Sequence, residues 1–250
     1  MRKLRNVLIT ISNIITNDTY YARSYPHDDI DGNGLIELYK TPVYKVFLEV
    51  LKHPKQKREK EPIEWKALRY MPYWNDPRSP YKKYKARGWV TAGLSRTAKR
   101  GSVKIATKRL TRIPVKGVKR ITAKVVEKYF PDYGVQNRYS PFSGAIQIKG
   151  NYLIHAGPQT MSESGWGAAG CVEIIGNFDK FKDDISLLSR SIRRSSHRAI
   201  IDLVKAKKLF VKVEYAPRPN IRGYFYKEVP PFDSTEDLPE IPLSDIIPTN

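Results

Sequence analysis

The sequence is poor in cysteine and has no long apolar segment, and each shortage excludes a class of protein. Cys171 is the only cysteine among 250 residues. A disulfide-stabilised scaffold is therefore excluded, and the fold must depend on a hydrophobic core. No segment approaches the roughly 20 consecutive apolar residues of a membrane-spanning helix, so we expect no transmembrane segment. The 40% hydrophobic composition is enough for one large domain or for a domain with an accessory region.

Acidic residues are also scarce, and their scarcity is uneven along the chain. The formal net charge is +20, and residues 81–128 contain sixteen Lys or Arg but a single acid, Glu127. This basic stretch predicts attraction to a polyanion, either nucleic acid or an anionic polymer of a cell envelope, and charge alone does not choose between them. Residues 228–250 have six acids and no Lys or Arg. We expect the acidic, proline-rich segment 227–250 to be an extended tail.

The first 80 residues have no assigned role, and their start has two interpretations. Val7, Ile9 and Ile11 recur at every second position, which predicts a strand. A basic start followed by an apolar run is also typical of a signal peptide. Ser12 and Asn13 interrupt that run, so the sequence gives no clear signal peptide.

The end of the basic stretch has helical spacing of apolar residues. Val118, Ile121, Val125 and Tyr129 recur at about the interval of one helix face. We therefore expect a basic amphipathic helix that either lies on an anionic surface or packs on the domain.

Residues 141–216 have the clearest pattern of strands and helices. Alternation predicts a hairpin from Ser143 to His155 with its turn at Lys149–Asn151, and a further strand beginning at Cys171. Asn177 is a good N-cap for a helix that buries Phe178, Phe181, Ile185 and Leu188. A second helix over 196–207 and a closing strand over 208–216 follow. We expect a mixed α+β fold: a mainly antiparallel, sandwich-like core at 141–216 within a region 81–226, a helical pair on one side, and a basic N-terminal region.

Cys171 has the surroundings of a nucleophile. A thiol reacts as the thiolate and needs a base, and His155 lies sixteen residues earlier. If the strands that carry them are neighbours, the loop between them covers the site, and Gly170 leaves the thiol open to substrate. Glu173 lies on the same strand face as Cys171. It either orients the imidazole or forms an ion pair with one of the many cations, and both interpretations stay open.

The segment "LIHAGP…GWGAAGCVEI" resembles the active-site segment of the L,D-transpeptidase (YkuD-like) catalytic domain. His155 and Cys171 match the base and nucleophile of that family, Gly170 matches the glycine before the cysteine, and Gly157 matches the glycine after the histidine with Ala156 inserted. Ala168 stands in place of a serine and Glu173 in place of an arginine. The resemblance implies a sandwich-like domain whose thiolate attacks a carbonyl in a peptidoglycan stem peptide. The resulting thioester is then resolved by an amine or by water.

Two functions from different classes follow. The first is a peptidoglycan-active cysteine enzyme, a transpeptidase or a carboxypeptidase or endopeptidase, which works at the cell envelope or periplasm after export or phage delivery. Trp166 then forms a wall of the substrate cleft, or anchors the loop, and Ser164 belongs to the same loop. The second is a basic binding or structural protein, such as a phage virion component, that keeps the fold without the chemistry.

The sequence predicts no metal site and no cofactor. "DIDGNGLIELYK" aligns with a calcium-binding loop, but Lys40 occupies the position of its bidentate glutamate. A polar turn between strands is the preferred interpretation of this segment. His27, His53 and His197 have no partners at the spacing of metal ligands.

Overall fold

The computed structural model describes residues 4–23, 36–51, 61–71, 121–134, 140–150, 152–165, 167–168, 171–216 and 224–227. Their strands and helices follow one another as β1 (Val7–Arg23), β2 (Ile36–Val50), β3 (Ile63–Leu68), β4 (Ile121–Val125), β5 (Tyr129–Gly134), β6 (Ser143–Lys149), β7 (Tyr152–Ala156), β8 (Val172–Ile175), α1 (Phe178–Ser189), α2 (Ser196–Lys205), β9 (Leu209–Val213) and β10 (Tyr224–Lys227). The mixed α+β class predicted from the sequence is confirmed.

All these strands belong to one sheet. Its order is β4-β9-β1-β2-β3-β8-β7-β6-β5, and β10 pairs with β2. The pairs β1–β9 and β7–β8 are parallel, and every other pair among the described strands is antiparallel. The expected antiparallel sandwich and the separate basic N-terminal region are not confirmed, since β1, β2 and β3 occupy the middle of the same sheet.

The sheet is curled, and the short link between its two edge strands shows that these edges lie close together. β4 and β5 lie at opposite ends of the strand order, yet only residues 126–128 separate them. So short a link spans at most about 14 Å, which forces the two edges of the sheet towards each other. The link bonds to both edges: the Val126 N–H donates to the Leu209 carbonyl at 2.9 Å, and the Gln147 N–H donates to the Lys128 carbonyl at 3.1 Å.

The helix pair packs on the inner side of this curl. α2 contacts both β5 and β9 near the two ends of the strand order, and α1 contacts β1 and β2. Burial of apolar side chains from both helices and from the inner face of the sheet creates the main core. Its buried members include Ile9, Val46, Ile154, Ile174, Phe178, Phe181, Ile185, Ile200, Leu203 and Val211.

Several local predictions are confirmed. β1 forms where Val7, Ile9 and Ile11 alternate, β6 and β7 form the hairpin, and β8 and β9 lie within their expected ranges. The Asn177 side chain caps α1 by accepting a hydrogen bond from the Lys180 N–H at 2.9 Å. The second helix ends at Lys205, slightly earlier than expected. Among the described residues no helix has the length and apolar character needed to cross a membrane.

The prediction of a helix around residues 118–129 is wrong, because Ile121–Val125 forms β4 and Tyr129–Gly134 forms β5. Ile121, Thr122 and Val125 are β-branched, which favours extended backbone. Pairing of β4 with β9 and of β5 with β6 then decides the conformation. Residues 81–120, the segment 29–35 of the calcium-like loop and the tail 228–250 lie outside the described residues.

Candidate active site

The site forms where β7 and β8 run parallel. Their register pairs Ile154 with Val172 and His155 with Glu173. Ile154 and Val172 face the main core, so alternation places His155 and Glu173 together on the outer face of the sheet. Cys171 immediately precedes β8, so extending the register of β7 and β8 by one residue sets it opposite Leu153, diagonal to His155.

His155 is buried, and the described residues provide a hydrogen-bond partner for only one of its ring nitrogens. Its side chain is 5% exposed, and its ring lies 5.5 Å from the ring of Tyr133 on β5. Nδ1 is 2.8 Å from the Ala156 carbonyl oxygen. A carbonyl can only accept, so Nδ1 donates and the neutral ring keeps its lone pair on Nε2. Burial lowers the pKa of His155 to about 4, so the imidazole is an uncharged base at neutral pH.

Cys171, as the single cysteine of the sequence, forms no intramolecular disulfide and is partly exposed. Tyr152, at the start of β7, lies close to it: burial is the larger cause of the raised pKa of the Tyr152 hydroxyl, and the charge of a Cys171 thiolate adds to it. A partly exposed thiol next to a strand with an unprotonated imidazole has both the access and the base that nucleophilic catalysis needs.

Glu173 is almost fully buried, although neither orienting the imidazole nor forming an ion pair requires such burial. It is 4% exposed, and burial raises its pKa to about 8. Its Oε2 has no hydrogen-bond partner among the described residues. The Ala156 carbonyl, and not Glu173, bonds Nδ1 of His155, and no ion pair of the described part of the chain includes Glu173.

Gly157 brings the loop after β7 close against β8. Its N–H donates to the Ile174 carbonyl at 2.9 Å. A Cβ at this position would lie 2.8 Å from the Glu173 Cβ and 3.0 Å from the Ile174 carbonyl oxygen. Any larger residue would therefore push the loop away from the buried carboxyl, which is a physical reason for the glycine that the sequence analysis selected.

The rest of the loop lies on the outer face of the sheet. The Gly165 N–H donates to the Tyr20 hydroxyl oxygen at 2.5 Å, and the Arg23 N–H donates to the Gly165 carbonyl at 2.8 Å. Met161 and Ala168 pack with apolar side chains of β1, β2, β3 and β8. The loop therefore excludes water from the outer face next to the site. Ser164 lies in it and is partly buried.

The structure brings together His155, Glu173, Gly157 and the segment that begins at Cys171. Gly170 and Trp166 lie outside the described residues. Sequence reasoning missed Tyr20 and Tyr133. Tyr20 lies near Glu173: burial first, and then the charge of Glu173, raise the pKa of its hydroxyl. Both contacts depend on strand order, for which the sequence had no signal: Tyr20 lies more than a hundred positions before Glu173, and Tyr133 on β5 reaches His155 on β7 across β6.

A second polar cluster, at Lys182, connects the helices to the sheet. The Lys182 side chain is 0% exposed, and its ammonium donates to the Ser143 carbonyl at 2.7 Å, to Asp179 Oδ1 at 2.6 Å and to His197 Nε2 at 3.0 Å. With Nε2 accepting, Nδ1 of His197 donates to the Tyr129 hydroxyl oxygen at 2.6 Å. His197 thus has a structural role, and the described residues contain no cluster of His, Cys, Asp and Glu suited to hold a metal ion.

Comparison of the chain with protein-family models, with curated proteins and with solved structures found no match in any of the three.

Proposed function

We propose that the protein is a cysteine enzyme that acts on peptidoglycan stem peptides, as an L,D-transpeptidase or as a related carboxypeptidase or endopeptidase. The observation that carries the proposal is the parallel register of β7 and β8. With the burial of His155 and the hydrogen bond of its Nδ1, this register supports a site in which the uncharged imidazole accepts the proton of the partly exposed Cys171. The substrate class is supported by the resemblance of residues 154–173 to the L,D-transpeptidase segment, with His155 and Cys171 in its two catalytic positions.

The reaction transfers one proton through His155 and passes through one thioester intermediate. His155 Nε2 takes the proton of the Cys171 thiol, and the sulfur attacks the carbonyl carbon of the stem peptide. The C–N bond breaks, and the leaving amine receives the proton from the imidazolium. An amine of a second stem peptide then attacks the thioester in transpeptidation, or water attacks it in hydrolysis. Either nucleophile gives its proton to His155, which returns it to the cysteine sulfur.

The burial of His155 affects the timing of the proton transfer. An imidazolium is disfavoured where the ring is almost completely removed from water, which is why its pKa is lowered to about 4. The resting imidazole is therefore neutral and does not form an ion pair with the cysteine sulfur. Deprotonation accompanies the attack on substrate, when bound stem peptide and the loop have displaced solvent.

The partners and the location belong to the same proposal. The enzyme works at the cell envelope or periplasm, reached by export or phage delivery, and the basic stretch 81–128 holds it on an anionic polymer of that envelope. Formal charge is the support for this attachment. Heparin or teichoic acid binding that weakens steeply with added salt is the expected behaviour.

Digestion of purified peptidoglycan tests the activity. Wild-type protein and the Cys171→Ala and His155→Ala variants are incubated with sacculi, and the products are identified by mass spectrometry. We expect new cross-links, exchanged terminal residues or shortened stems with the wild type only. Thr160→Ala, a change at an exposed position of the covering loop, is the matched control and retains activity.

Full activity of either the Cys171 or the His155 variant refutes the assignment. Alkylation of the folded protein with iodoacetamide separates the remaining alternatives, since a catalytic thiol reacts at neutral pH whereas an inert one reacts only after unfolding. Identical product profiles together with an unreactive Cys171 would favour the basic binding or structural protein.

A further inference from the structure

A buried carboxyl that forms no ion pair with the described residues lies next to the base of the proposed site. Glu173 is in register with His155 on the neighbouring strand, and both side chains are at least nine-tenths buried. Oε2 of Glu173 has no hydrogen-bond partner among the described residues. An ionised carboxylate in this position would lose its hydration without gaining a counter-ion or a full set of hydrogen bonds, which disfavours the charged form strongly.

Among the described residues, no ion pair supplies that counter-ion. β3 presents Leu68 opposite Glu173, and β6 presents Ala145 opposite His155. β5 contributes the neutral ring of Tyr133. From β1 and the loop, the charges of Arg23 and Glu163 act on the Tyr20 hydroxyl, and Arg23 lowers its pKa after larger effects of burial and of the Gly165 N–H. Burial raises the pKa of Glu173.

We propose that Glu173 is a positioning residue that carries a proton in the resting enzyme and thereby keeps His155 an uncharged base for Cys171. The inference rests on the proposed function, because it assigns a purpose to the base of that reaction. A carboxylate at Glu173 would attract a proton to the imidazole and stabilise the imidazolium. A protonated ring has no lone pair on Nε2 and is unable to accept the thiol proton.

The two titrations show where this arrangement holds. His155 binds a proton only below a pKa of about 4, and Glu173 releases its proton only above a pKa of about 8. Between these values the pair holds one titratable proton besides the proton on Nδ1 of His155, and that titratable proton is on the Glu173 carboxyl. Above this range the ionised Glu173 changes the electrostatic environment of the imidazole.

The charge of His155 is measured directly by ¹⁵N NMR of the full-length Cys171→Ala protein labelled at histidine, in which no thiol titrates. Of the four histidines, His155 is identified by the signal lost in a His155→Gln variant. At pH 6 we expect a neutral ring with its proton on Nδ1. As pH rises we expect one inflection of its shifts near pH 8, where Glu173 ionises. Adding Glu173→Gln removes this inflection.

Glu64→Gln in the same Cys171→Ala background is the matched control, because it makes the same change on β3 at an exposed carboxylate paired with Lys45. In this control the inflection of the His155 shifts near pH 8 should persist. An imidazolium at pH 6 overturns the inference without any further variant, and so does an inflection that survives Glu173→Gln. No peptidoglycan is used here, so failure is distinct from failure of the proposed function.

Discussion

Replacing Glu173 by Gln is expected to stabilise the protein at neutral and alkaline pH. In the unfolded chain this carboxyl has an ordinary pKa of 4.5, whereas burial raises the pKa to about 8 in the fold. Between these pH values the folded state holds a proton that the unfolded state has released. The contribution of Glu173 to the stability of the wild type is therefore fully present below pH 4.5 and decreases as pH rises towards 8, by about 1.4 kcal/mol per pH unit. The amide does not ionise, so the variant lacks this decrease.

Urea denaturation of both proteins at pH 5, 7 and 9 measures the effect. The difference between their free energies of unfolding should grow by about 3 kcal/mol from pH 5 to pH 7 and level off above pH 8. His155, whose pKa burial lowers to about 4, destabilises the fold as pH falls below its ordinary value of 6.5. This effect is common to both proteins and cancels in the difference. Glu64→Gln, at an exposed position, should follow the wild type.

Two outcomes would contradict this reasoning. Parallel stability curves for wild type and Glu173→Gln would mean that Glu173 titrates in the fold as it does in the unfolded chain. A difference of opposite sign, with the variant losing stability relative to wild type as pH rises, would mean that the carboxylate has a cationic partner in the fold.

Two further substitutions test the packing beside the site and beneath the helices. Gly157→Ala should destabilise the protein by about 2 kcal/mol in thermal denaturation, because the added Cβ would meet atoms of β8 at 2.8–3.0 Å. Gly134→Ala is its control: a Cβ there would have nothing within 4 Å. This control should change the free energy of unfolding by less than about 0.5 kcal/mol. Lys182→Met keeps the length of the side chain but removes the donor to three acceptors, and should cost about 3 kcal/mol in urea denaturation; Lys180→Met, exposed on the same helix, is its control, and equal effects of the two would refute the role of the buried ammonium.

The sequence predicted the part of the fold whose signals are local. The hairpin of β6 and β7 follows from alternation around a turn at Gly150, and α1 from a cap at Asn177 followed by one apolar face. These signals need no knowledge of the rest of the chain. The segment 121–134 shows the limit, because its apolar spacing suited a helix while its β-branched residues suited a strand. Pairing with β9 and β6 made the choice.

Strand order was beyond the reach of these patterns. Placing β1 between β9 and β2 requires parallel pairing of residues 7–11 with residues 209–213, about two hundred positions apart. The same holds for the site: the spacing of His155 and Cys171 was visible, whereas the burial of Glu173 results from β3 on one side of it and β7 on the other. A glutamate among basic residues is normally expected at the surface.

Lys182 and Glu173 are both buried ionisable residues, but the fold satisfies only one of them. The Lys182 ammonium has three acceptors on α1, α2 and β6, so its burial is explained by the connection it makes between helices and sheet. Glu173 has an oxygen without a hydrogen-bond partner among the described residues, and its burial lowers stability at neutral pH. Packing therefore does not explain its presence, since glutamine would fill the same volume without that cost. Under the proposed function this carboxyl serves the base beside it, because its neighbour on β7 is His155.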